Sequence, residues 1–169
     1  MSVTKVTTPV IDSPGLESGQ RNFIIDGDFT QFPEGDKTSV ASGVYTSALL
    51  RTDHSTSTGV YNVTQDTDVP TQAESGHQSS YSTKVTVTTS DTSIASTEFL
   101  SLIYFMTGSD FKNLHKKECT ISFWVKSPLI GQYYVTLTNS SANRYYHAPY
   151  TISTANTVEK VTITLTMDT

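Results

Sequence analysis

Cys119-Thr120-Ile121-Ser122-Phe123-Trp124-Val125-Lys126-Ser127 decides the fold class. Ile121, Phe123 and Val125 alternate with Thr120, Ser122, Trp124 and Lys126, and period two is the signature of a strand with one buried face. Ser127, Pro128 and Gly131 interrupt the run. Gln132-Tyr133-Tyr134-Val135-Thr136-Leu137-Thr138 then alternates again. The spacing predicts a hairpin closed by a loop over 127–131. In that register Trp124 lies opposite Tyr134, on the face away from Phe123 and Leu137. A large aromatic pair on the polar face of a hairpin is the most unusual feature of the chain.

The rest of the sequence points the same way. Its 169 residues suffice for one domain with a proper core. Ser and Thr make up roughly three residues in ten, well above ordinary usage, and threonine suits half-buried strands. No long stretch has helical periodicity. Short strands are expected near 44–50, 60–63, 81–89, 99–106, 120–126, 132–138 and 158–165, with residues 51–58 as a turn and 64–80 as a long surface loop. Phe99-Leu100-Ser101-Leu102-Ile103-Tyr104-Phe105-Met106 is the most apolar window and reads as a deeply buried strand. With further extended segments, about eight or nine strands fit an all-β sandwich or jelly roll. Residues 1–21 carry Pro9, Pro14, Gly15 and Gly19 and read as an extended arm; residues 22–169 form the domain.

Charge and cysteine usage exclude several classes. The net charge is −5, the opposite of the basic stripe a nucleic-acid partner needs. Lys112, His115, Lys116 and Lys117 read as a solvated turn. Cys119 is the only cysteine, so no internal disulfide forms. The N-terminus has no apolar signal core, and no stretch reaches membrane-spanning length.

Candidate sites are few. His54, His77, His115 and His147 are isolated and lack metal-ligand spacing. No catalytic set is present, so the chain reads as non-enzymatic. Asp26 and Asp28 flank a glycine turn, with Glu34 and Asp36 nearby. Such oxygen-rich loops hold structural calcium in some proteins, or are simply solvated acidic turns; no other cofactor is expected. Sugars offer apolar C–H faces that stack on aromatic rings, with hydroxyls that need polar neighbours. Trp124 and Tyr134, flanked by Ser122, Gln132 and Thr136, answer that description. The next strand adds either Tyr145 and His147 or the opposite set, Tyr146 and Tyr150. The same aromatic pair also reads as plain cross-strand packing, or as a surface covered by a partner.

Several of these segments together resemble jelly-roll, carbohydrate-binding-module-like domains of bacteriophage tail fibres and other virion proteins. Asn22-Phe23-Ile24-Ile25-Asp26-Gly27-Asp28-Phe29 is similar to that family's N-x-I-x-N-G-D-F opening, with Asp26 in place of Asn. Gly108-Ser109-Asp110-Phe111-Lys112-Asn113-Leu114 followed by Thr120-Ile121-Ser122-Phe123-Trp124-Val125-Lys126-Ser127 is similar to its loop and T-L-S-F-W-V-K-S strand. Asn156-Thr157-Val158-Glu159-Lys160-Val161-Thr162-Ile163 resembles its T-W-E-K-x-T-x-T run, with Val158 in place of Trp. Tyr45 to Arg51 matches the family's next segment only loosely. The family also continues past Met167-Asp168-Thr169 by several strands, which implies a jelly roll truncated at its C-terminus, or one completed by a neighbouring chain. The resemblance implies a virion protein, a tail fibre, head fibre or decoration, that contributes to host-surface glycan attachment; the aromatic face read above would place that contact at Trp124, Tyr134, Tyr145 and His147. It implies contacts with other virion proteins through the arm, and a homo-oligomer, trimers being common among such fibres. A purely structural capsid or tail component, and an accessory carbohydrate-binding domain of a larger enzyme, are the alternatives.

Overall fold

The alternating run over 119–127 does form a strand, but its partner is not the next one. The computed structural model describes residues 22–167. The expected arm over 1–21 lies outside the described residues. Among the described residues, nine strands and two single-turn helices follow one another as β1 (Val44–Tyr45), β2 (Leu50–Ser55), β3 (Val60–Asp66), α1 (Gln72–Ser75), β4 (Ser82–Thr89), β5 (Phe99–Tyr104), α2 (Gly108–Phe111), β6 (Glu118–Val125), β7 (Gly131–Thr138), β8 (Tyr145–Ile152) and β9 (Glu159–Thr166). All strand pairs are antiparallel, so the chain is all-β.

The pairing is nested. In the first half β3 pairs with β4, and β2 with β5, with β1 on the other side of β2. In the second half β7 pairs with β8, and β6 with β9. The expected β6–β7 hairpin is therefore wrong. Trp124 lies opposite Lys160 on β9, and Tyr134 lies opposite Pro149 on β8. Alternation fixes which side chains share a face but not which strand lies alongside, and a five-residue link fits both a hairpin and a crossing between layers. Hydrogen bonds hold this link in the crossing form. The Leu129 amide donates to Ser127 Oγ (3.0 Å), the Tyr133 hydroxyl donates to the Leu129 carbonyl (3.0 Å), and the Asn156 amide donates to the Ser127 carbonyl (2.8 Å). Gly131 opens β7 at φ +145°, in a region that side chains disfavour.

The true hairpin is β7–β8. Its turn is built on Asn139, whose Oδ1 accepts from the amides of Asn143 (3.1 Å) and Arg144 (3.2 Å). An asparagine that caps its own turn in this way offers the backbone an alternative to continuing the strand.

The two ribbons of the second half pack face to face. Phe123, Val125, Val161 and Ile152 are buried together, and Ile121, Ile163, Tyr133, Val135 and Tyr150 pack against them. Every second residue of four strands supplies this seam, as alternation requires. Tyr150 is its aromatic centre, edge-on to Phe123 at 5.3 Å and stacked on Tyr133 at 5.7 Å between ring centroids.

The first half is held differently. Val63, Phe29 and Val40 are buried, beside a buried hydroxyl pair, Thr46 Oγ1 and Thr52 Oγ1, 3.2 Å apart. Asp91 ties the 56–59 turn to the loop after β4. Its Oδ2 accepts from the hydroxyls of Thr56 and Ser57 and the amides of Ser57 and Thr58, and its Oδ1 from the Ser93 amide. These donors hold its carboxyl far below the usual carboxylate range.

Two further segments depart from the sequence expectation. Residues 51–55 are strand β2 rather than turn, whereas the segment expected to be a strand from Val44 shrinks to two residues. Serine, threonine and aspartate in Arg51-Thr52-Asp53-His54-Ser55 hid the strand, because pairing with β5 overrides their local preference for turns. The 99–106 window does form β5, but it is not deeply buried: Phe99 is 53% exposed and Phe105 49% exposed. Apolar content alone does not say whether anything covers a strand.

Burial raises the Tyr150 phenol from its ordinary 10.0 to about 12. The folded chain thus retains that proton where the unfolded chain has lost it. This contribution to stability is complete below pH 10.0 and is lost as pH rises toward about 12. Denaturant midpoints measured on either side of that window should fall more steeply for the native chain than for Tyr150→Phe; parallel falls would refute the coupling.

Candidate functional site

The seam that buries one face of β7–β8 turns the other outward. On β7 the outward residues are Gln132, Tyr134, Thr136 and Thr138; on β8 they are Tyr145, His147, Pro149 and Thr151, and all eight are exposed. Cross-strand pairs set Tyr134 opposite Pro149, Thr136 opposite His147 and Thr138 opposite Tyr145. The result is a continuous strip of rings on a two-stranded ribbon, about 20 Å long at the usual rise per residue.

The strip is ordered by its own contacts. The Tyr145 and His147 rings lie parallel, 4° between planes and 5.8 Å between centroids. Thr136 Oγ1 and His147 Nδ1 are 2.8 Å apart, which fixes the imidazole's orientation. The Tyr134 hydroxyl donates to Gln132 Oε1 at 2.7 Å. Three flat surfaces thus stand interleaved with hydroxyl and amide groups. Aromatic pairs of this kind hold geometry as well as area.

Of the four residues expected to form a sugar-binding face, the structure brings together Tyr134, Tyr145 and His147. Trp124 is not with them; it belongs to the β6–β9 ribbon, not to β7–β8. Its own face of β6 is covered in part. Ser122, two residues away, is 5% exposed, and the indole Nε1 is buried without an acceptor. Lys160 Nζ lies 5.9 Å from the centre of the indole ring, and Lys126 is ion-paired with Asp68 of the first half at 2.6 Å. The expected exposed Trp124–Tyr134 pair therefore does not exist. Pro149 is the member that sequence reading missed. A proline in a strand signals an edge, and its spacing two residues from His147 places it in the strip.

The acidic turn is also resolved into separate roles. Asp26 adopts φ 55°. Its Oδ1 accepts from the Thr30 amide (3.0 Å), the Thr30 hydroxyl (2.8 Å) and the Gln31 amide (3.2 Å). Asp28 faces elsewhere: its Oδ2 lies 2.9 Å from His77 Nε2, and Ser79 Oγ donates to its Oδ1 at 3.5 Å. Among the described residues no group of three or more His, Cys, Asp or Glu is placed to hold a metal ion. The geometry makes Asp26 a turn cap and Asp28 a tether for the segment after α1. Partial burial, together with Glu118 beside it, raises the Cys119 thiol, so the thiolate that would be needed for nucleophilic chemistry is disfavoured.

No family model, curated protein or solved structure matches the chain. The likeness to phage domains therefore rests on the motifs themselves.

If Asp26 is a turn cap, Asp26→Ala should cost about 1–2 kcal/mol in denaturant unfolding, by loss of accepted hydrogen bonds and of a residue tolerant of positive φ. The loss should be the same with calcium added or chelated. A native chain markedly stabilised by calcium, with that gain absent from the variant, would restore the metal reading.

Proposed function

We propose that this chain is a non-enzymatic bacteriophage virion protein, a fibre or decoration component, whose β7–β8 face binds saccharide on the host surface. The observation that carries the reading is the exposed strip of Tyr134, Pro149, His147 and Tyr145. Solvent-facing rings fixed side by side, with Gln132, Thr136 and Thr138 between them, suit a ligand that is apolar on its ring faces and hydroxylated at its rim. Such a patch on a soluble domain generally marks a contact surface, and the net charge of −5 disfavours nucleic acid as its ligand.

A jelly-roll winding is supported by the nesting of strands. In each half an inner hairpin, β3–β4 or β7–β8, is continued by an outer pair, β2–β5 or β6–β9, the way a long ribbon folds over itself. The virion setting is supported by the resemblance of the opening, the tryptophan strand and the Glu159-Lys160 strand. Fold does not dictate ligand, so the binding face is argued from its own chemistry.

Binding of the native chain to an array of bacterial surface glycans is the test. Tyr134→Ala and Tyr145→Ala should each weaken binding by about two- to tenfold, the range one aromatic contact supplies, whereas Trp124→Phe should leave affinity unchanged. Absence of glycan binding, or binding indifferent to both tyrosines, would refute the proposal.

A further inference from the structure

We propose that β5 is the strand through which two copies of this chain pair, edge to edge, into a two-fold dimer. Among the described residues β5 ends the sheet ordered β1-β2-β5. Its sequence, Phe99-Leu100-Ser101-Leu102-Ile103-Tyr104, has neither charge nor proline, and its register with β2 is unbroken. A bare apolar edge is a template for another strand, and natural proteins rarely leave one unguarded.

The other edges are guarded. β1 is two residues long. The free side of β3 is covered by residues 37–40: the Lys37 and Val63 amides donate to each other's carbonyls, and the Val40 amide to that of Tyr61. β4 carries Lys84 and a register break opposite Val60 and Tyr61. β6 carries Glu118, β8 Pro149, and β9 Glu159 and Lys160. β7 is uncharged, but its exposed side chains apart from Tyr134 are an amide and hydroxyls. On β5 the exposed residues are Phe99, at 53%, and Leu100, at 38%. Neighbours along a strand point to opposite faces, so both sides of this end lie open.

A second copy suits this edge better than an arbitrary partner. The chain carries a net charge of −5, so like-charged contact strips would repel one another, and β5 is neutral throughout. Antiparallel self-pairing about an axis between Ser101 and Leu102 sets Phe99 opposite Tyr104 of the second copy, and Leu100 opposite Ile103. The central pair sets Ser101 opposite Leu102. The interface is self-complementary, as a closed two-fold contact requires, and it joins two three-stranded sheets into one.

The mass of the full chain in solution, by light scattering after size exclusion, tests the inference. A dimer is expected, and Phe99→Lys/Leu100→Lys should convert it to a monomer with an unchanged circular dichroism spectrum and melting temperature at a concentration where the native chain is monomeric. Tyr134→Ala/Tyr145→Ala should stay dimeric, which separates this contact from the glycan face. A native chain that stays monomeric at every concentration, a trimer, or a dimer indifferent to the lysines would overturn the proposal. So would a monomer that the lysines destabilise, since the edge would then be covered from within one chain.

Discussion

The apolar seam between the β6–β9 and β7–β8 ribbons is the constraint on which the second half of the chain depends. A two-stranded ribbon is marginal alone, and each of these becomes stable by burying one face against the other. Phe123, Val125, Val161 and Ile152 meet there with Tyr133 and Tyr150. Once these residues face inward, period two leaves no freedom over the rest: Tyr134, Thr136, His147 and Tyr145 must face outward. The proposed binding face is thus a consequence of core packing and needs no separate scaffold.

The two polar faces differ. The outer face of β7–β8 is open to solvent along its length. That of β6 is covered at Ser122 and around the indole nitrogen, beside the ion pair of Lys126 with Asp68. An exposed aromatic strip is available to a ligand; a half-covered indole with an unsatisfied N–H is a packing feature that carries an energetic cost. The distinction turns on which layer each strand joins.

The parts of this arrangement that follow from local chemistry were legible in the sequence. Alternation in Ile121-Ser122-Phe123-Trp124-Val125 identifies a strand and its buried face, and the segments near 132–138 and 158–165 identify two more strands. What depends on distant partners was not. The link over 127–131 has the length and composition of a hairpin loop, and only the bonds from Asn156 and Tyr133 reveal a crossing. β2 was hidden because Thr52 and Asp53 look like turn residues until β5 lies beside them. The apolar 99–106 window looks like interior from its composition, but burial belongs to the neighbours of a strand rather than to the strand. At the candidate site the residue types were legible, but their grouping was not: Tyr145 and His147 join Tyr134, Pro149 comes with them, and Trp124 goes elsewhere. Asp26 and Asp28 look like a ligand pair by spacing, yet a turn with positive φ sends their carboxylates to different partners.

Everything at the proposed site follows from β6 pairing with β9 and β7 with β8. Cross-strand nuclear Overhauser contacts measure that pairing directly. Backbone contacts between Trp124 and Lys160, and between Tyr134 and Pro149, are expected. Contacts between Trp124 and Tyr134 across a common ribbon would contradict it.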